Sequence, residues 1–170
     1  MSPRRPSAKI LETSSLGDQS GPILVIAYGN TLRRDDGAAR RVAEELEALA
    51  SPQIEVISCD LLMPELADAV SRAERVVFVD AEANSTGPTR ARKIVAAESS
   101  QLMAHHASPS VILALARDVF GKMPPAWLVT IPGHDFGIGE ELSKTALRGV
   151  KRALGLIQKI QLLAGRSAER

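Results

Sequence analysis

Short apolar runs recur along the chain, each followed by a polar or glycine-bearing turn and then by a stretch with helical spacing. Residues 23–28, 76–79 and 126–131 are almost unbroken apolar runs, the pattern of strands buried on both faces of a parallel sheet. Residues 54–58 alternate, and residues 90–95 form a more polar strand suited to a sheet edge. Between these, residues 37–50 place Val42, Leu46 and Leu49 on one face of a predicted helix. Residues 64–72 form a shorter helix with Pro64 in its first turn. Ser108-Pro109 opens a third helix in N-cap and N1 style, and Gly121 stops it after Phe120. Residues 141–163 form a long terminal helix, and residues 84–88, 96–107 and 132–139 are loops. This alternation predicts an α/β fold: a single three-layer αβα domain over residues 22–165, with a mostly parallel twisted sheet, helices on both faces and right-handed crossovers. Residues 1–21, rich in Ser, Pro and Gly and without the apolar core of a signal peptide, predict a disordered N-terminal tail.

Composition narrows the partners. The 21 basic and 20 acidic side chains nearly cancel, which removes the electrostatic reason to expect nucleic acid or an anionic membrane. An aromatic fraction of 3% leaves little for base stacking. No apolar stretch approaches the length of a membrane span. The one cysteine, Cys59, excludes an intramolecular disulfide and a cysteine-rich zinc site, which is compatible with a cytoplasmic protein.

Polar residues at the ends of the apolar runs are the candidates for chemistry. Asp35-Asp36 follows the first run and its Gly29 turn. Carboxylates suit a helix start, but two adjacent like charges exceed what one cap requires, so one can serve the helix while the other faces a cleft. Asp80 ends the second run, at the strand end where open α/β sheets bind ligands; the competing reading is a turn or cap residue. His105-His106 stand before the third helix, either as surface histidines or as a source of the nitrogen ligand that nickel or zinc takes beside oxygen donors. His134 suits a loop-structuring role, and Cys59 suits packing better than nucleophilic catalysis. Gly29 opens neither a P-loop nor a dinucleotide fingerprint, and the chain holds neither a Gly-x-Ser-x-Gly elbow nor a His-Glu-x-x-His helix.

In order, the segments Tyr28-Gly29-Asn30-Thr31-Leu32-Arg33-Arg34-Asp35-Asp36-Gly37, Leu62-Met63-Pro64-Glu65-Leu66-Ala67, Val77-Phe78-Val79-Asp80-Ala81, His105-His106-Ala107-Ser108-Pro109 and Phe136-Gly137-Ile138-Gly139-Glu140-Glu141-Leu142-Ser143 resemble the maturation endopeptidases of nickel–iron hydrogenases. The resemblance implies a phosphorylase/hydrolase-like fold and a hydrolase that removes a C-terminal extension from the hydrogenase large-subunit precursor after nickel insertion. It implies that nickel is carried by the substrate and bound transiently, without a tightly bound cofactor. By motif position the nickel-recognition and catalytic roles fall on Asp36, Asp80 and His105, with His106 as the alternative histidine and no separate nucleophile assigned. Ala27 and Ala39 stand where the family often has glycine, and each is expected to add a methyl group near the cleft.

The expectation is therefore a cytoplasmic, monomeric endopeptidase whose partner is the hydrogenase large-subunit precursor. Proximity would supply much of the rate enhancement, with the metal polarising the peptide carbonyl or acidifying a water. The alternatives are a non-catalytic nickel- or precursor-binding accessory protein and a nucleotide-binding α/β domain, the latter lacking a phosphate motif.

Overall fold

The computed structural model describes residues 22–98 and 107–162. Five strands form one sheet in the order β2-β1-β3-β5-β4: β1 (Ile23–Tyr28), β2 (Ile54–Cys59), β3 (Arg75–Ala83), β4 (Arg90–Ile94) and β5 (Ala126–Gly133). All neighbours pair in parallel except β4, which runs antiparallel along β5 at the edge. The polar composition of β4 follows from that position, because an edge strand keeps more of its surface in water. Four helices cover the sheet: α1 (Ala38–Ala48), α2 (Leu66–Arg72), α3 (Pro109–Phe120) and α4 (Lys144–Leu162).

The continuous apolar runs exist because both faces of the central strands are buried. Val25, Val77 and Val79 point to α1 and α4, where Val42, Leu46, Val150 and Ile157 meet them. Leu24, Ile26, Val76 and Phe78 point the other way, to Val70 of α2 and to Ile112 and Leu113 of α3. No helix of the described residues is long and apolar enough to cross a membrane.

The elements match the expected order, with shifted boundaries that have local causes. The helix expected from residue 37 is preceded by a single 3-10 turn, Arg34–Gly37. α2 begins at Leu66, since the amides of Leu66 and Ala67 close three-residue turns on the carbonyls of Met63 and Pro64. α4 begins at Lys144 with Ser143 as its cap, the Ala146 amide donating to Ser143 Oγ at 3.1 Å. α3 is capped as expected: the Val111 amide donates to Ser108 Oγ, and Gly121 adopts φ +72° at the far end. The tail of residues 1–21 and the histidines His105 and His106 lie outside the described residues.

β3 continues past Asp80 and pairs with β5 as far as Ala83 and Gly133. Asp80 is therefore a ladder residue, opposite Thr130, and not a turn residue of the following loop. Ala27 and Ala39 are also placed differently from expectation. Both are fully buried in the cluster beneath α1 and α4, so their methyl groups fill core and do not reach the cleft.

Candidate functional site

After β1 the chain leads by α1 to β2 on one side of the sheet; after β3 it leads on to β4 and β5 on the other. The direction of winding thus reverses between β1 and β3, and the crevice at their carboxyl ends is where sheets of this kind bind ligands. The loop after β1 carries Asp36 to this crevice, and β3 itself carries Asp80.

Gly29 lets the loop fold back over the strand end. Its φ is +144°, and a Cβ there would stand 2.1 Å from the Asp36 carbonyl oxygen. Asn30 shapes the next turn, its Oδ1 accepting from the Leu32 amide at 2.9 Å and its carbonyl from the Arg33 amide at 3.1 Å. The Asn30 amide in turn donates to Asp36 Oδ2 at 2.9 Å. One carboxylate oxygen of Asp36 is thereby held, while Oδ1 takes no hydrogen bond from the described residues.

The other acid of the pair faces inward. Asp35 is 0% exposed and caps neither the 3-10 turn nor α1. Its Oδ2 accepts from the amides of His134 (2.9 Å) and Asp135 (3.1 Å) and from Ser143 Oγ (2.8 Å), and its Oδ1 accepts from the Ser143 amide at 2.7 Å. Burial opposes its ionisation, but the N–H bonds from His134, Ser143 and Asp135, with the Ser143 hydroxyl, outweigh it and hold the carboxyl below the usual carboxylate range. Asp35 so ties the loop after β1 to the loop after β5. Two further links reinforce the tie: the Asp35 amide donates to the Asp135 carbonyl at 2.9 Å, and Arg34 pairs with the Asp135 carboxylate at 2.9 Å. His134 does structure this loop, through its main-chain N–H while its side chain is exposed.

Asp80 sits on the sheet face covered by α2 and α3, in a row with Cys59, Tyr28 and Thr130. The Tyr28 hydroxyl donates to Asp80 Oδ2 at 3.0 Å. Burial pushes the Asp80 carboxyl up to about 6; bonds from Tyr28 and the Ala81 amide pull against that, while the charges of Asp36 and Glu82 add to it. The Tyr28 phenol is itself raised, by burial and then by the Asp80 charge, so it stays protonated and can only donate to that anion. Thr130, 8% exposed, has a hydroxyl with no hydrogen-bond partner among the described residues. Cys59 is half-buried and its thiol is pushed up by burial, which removes the thiolate a nucleophile would need.

Of the expected set, Asp36 lies in the turn after β1 and Asp80 on β3, the adjacent strands between which the winding reverses, and His105 lies outside the described residues. Among the described residues no group of three or more His, Cys, Asp or Glu side chains is arranged to hold a metal ion. Tyr28 and Ser143 stand within the segments that carry the family resemblance, but neither they nor Thr130 are among the expected site residues. Tyr28 carried a signal, as the only tyrosine of the chain closing an otherwise aliphatic strand; the other two carried none.

The sequence matches no family model and no curated protein. Solved structures do match. The [NiFe] hydrogenase maturation protease HybD from Thermococcus kodakarensis is 24% identical with a TM-score of 0.62, the match covering 82% of this chain and 99% of that one. The hydrogenase maturating endopeptidase HybD from E. coli is 19% identical with a TM-score of 0.64, covering 87% and 94%. The [NiFe] hydrogenase maturation protease HycI from Thermococcus kodakarensis KOD1 is 20% identical with a TM-score of 0.62, covering 82% and 92%. At these identities the likeness is one of architecture: the chain has the fold of the [NiFe] hydrogenase maturation proteases over nearly the whole of their length.

Proposed function

We propose that this protein is an endopeptidase of nickel–iron hydrogenase maturation. It acts in the cytoplasm as a monomer and removes the C-terminal extension of a large-subunit precursor once nickel is in place. What supports this reading is a sheet with the maturation-protease fold in which Asp36 follows β1 and Asp80 lies on β3, the two strands flanking the winding reversal. Nickel belongs to the substrate. Asp36 and Asp80, with His105 from the loop before α3, would contact it only when it is present, and that contact reports loading and sets the scissile peptide beside the crevice. A donor set of mixed oxygen and nitrogen type suits reversible contact with a borderline metal ion. An ion held too tightly would be stripped from the hydrogenase.

The arrangement of the loops supports this division of labour. Asp35 is consumed in joining two loops, which leaves Asp36 as the acid of the pair that can turn to a ligand. The carboxyl of Asp80 is raised by partial burial and, to a lesser degree, by the charge of Asp36, and a cation bound at Asp80 would relieve both.

Incubating the purified protein with nickel-loaded and nickel-free precursor tests the reading. A mass loss at the precursor's C-terminus that requires nickel is the expected result. Asp36→Ala and Asp80→Ala should each abolish it with the fold retained. Wild-type cleavage by the folded double variant would refute the site, and tight association with the precursor without any cleavage would favour the accessory-protein reading.

A further inference from the structure

Resting on that reading of Asp80, we infer that Tyr28 is a positioning residue, whose hydroxyl holds the Asp80 carboxylate in the orientation that serves the crevice and keeps it from turning to the Thr130 hydroxyl. Parallel pairing puts two side-chain hydroxyls beside Asp80 on one face of the sheet. Tyr28 ends β1, and Thr130 is the direct register partner of Asp80 on β5. A buried hydroxyl without a partner is costly, so Thr130 is a standing competitor for the carboxylate. Yet Asp80 bonds Tyr28 at 3.0 Å and leaves Thr130 Oγ1 unpaired among the described residues.

Nothing else in this part of β1 requires a phenol. Leu24 and Ile26 precede Tyr28 on the same face and are fully aliphatic, and Phe in place of Tyr28 would fill the same volume. The hydroxyl is therefore the informative atom. A charged ligand group fixed by a neighbouring hydrogen bond binds a metal more tightly than a free one, and losing such a partner weakens affinity about 10–100-fold.

Four variants test this: Tyr28→Phe, Thr130→Val, the double Tyr28→Phe/Thr130→Val, and Asp80→Ala. The first readout is the χ1 rotamer of Asp80 in metal-free protein, from three-bond NMR couplings, which needs neither nickel nor catalysis. The second is the affinity for nickel(II) ion alone, by titration calorimetry. Tyr28→Phe should change the Asp80 rotamer and weaken nickel binding about 10-fold or more. Adding Thr130→Val should reverse part of both changes, and Thr130→Val alone should alter neither. A Tyr28→Phe protein with the wild-type Asp80 rotamer overturns the inference, as does a double variant indistinguishable from Tyr28→Phe. If instead Asp80→Ala binds nickel and cleaves precursor like wild type, the proposed function of Asp80 fails, while the rotamer measurement still decides the role of Tyr28.

Discussion

Asp35 shows how far a side chain's role can depart from its position in a motif. A carboxylate with four hydrogen bonds and no exposure stabilises the fold, and its partners all lie after β5, 99 to 108 residues further along the sequence. Asp35→Ala would strand the His134, Asp135 and Ser143 amides, so we expect a loss of about 3–5 kcal/mol in urea unfolding, comparable to breaking a buried charged pair. The sign of its pH dependence is fixed by its lowered ionisation. The unfolded chain binds a proton at Asp35 at higher pH than the native protein does, so the stability that Asp35 contributes is present above the usual carboxylate range and lost as pH falls through and below it. Asp35→Asn should remove this acid sensitivity, read as a flatter plot of unfolding midpoint against pH below about 4. Thr130 marks the opposite limit. Its hydroxyl is buried and unpaired among the described residues, so Thr130→Val should leave thermal stability unchanged or raise it by up to about 1 kcal/mol.

Two glycines that end elements differ in what surrounds them, and the difference predicts different costs. Gly121 closes α3 at φ +72° with nothing within 4 Å of an added Cβ, so Gly121→Ala should cost only the left-handed backbone penalty of about 1 kcal/mol. Gly29 turns β1 into its loop at φ +144°, with the Asp36 carbonyl 2.1 Å from an added Cβ. Gly29→Ala must move the loop, and we expect a loss above about 2 kcal/mol in urea unfolding together with displacement of Asp36. The same contrast explains what could be read from the sequence. The strands were legible because burial on both faces leaves no room for polar residues, and α3 because its cap residues act within one turn. The 3-10 turn ahead of the helix expected from residue 37 went unsignalled, and the start expected for α4 at residue 141 missed Ser143, which is held by Asp35 from across the molecule. Contacts over such separations leave no trace in local spacing. Asp36 and Asp80 could be singled out from their place at strand ends, but the direction each side chain takes depended on Asn30, Tyr28 and Asp35, whose pairings are tertiary.

Across the whole molecule the buried Asp35 and the half-buried Asp80 pull stability in opposite directions with pH. Asp35 favours the folded state as pH rises through the carboxylate range, whereas Asp80, raised to about 6, opposes it. Between the unfolded carboxylate value near 4 and about 6, the native protein holds a proton on Asp80 that the unfolded chain has released, so this group's contribution falls with rising pH and is fully unfavourable above 6. The sheet tolerates that cost because its core is continuous on both faces of β1 and β3, and the cost is concentrated at the winding reversal where the fold leaves a crevice. Asp80→Asn removes the charge while keeping the shape. It should raise stability by about 1–3 kcal/mol at pH 7.5 and change little at pH 4.5, a comparison that urea unfolding at the two values makes directly. Nickel should act in the same direction on the wild type and not on the variant: a cation between Asp36 and Asp80 offsets the repulsion, so added nickel(II) should raise the wild-type midpoint at pH 7.5 more than at pH 4.5, where Asp80 is protonated. A stabilised but inactive Asp80→Asn protein would place the origin of the strain and of the function at one carboxylate. Equal stability of variant and wild type at both pH values would mean that Asp80 carries no such cost.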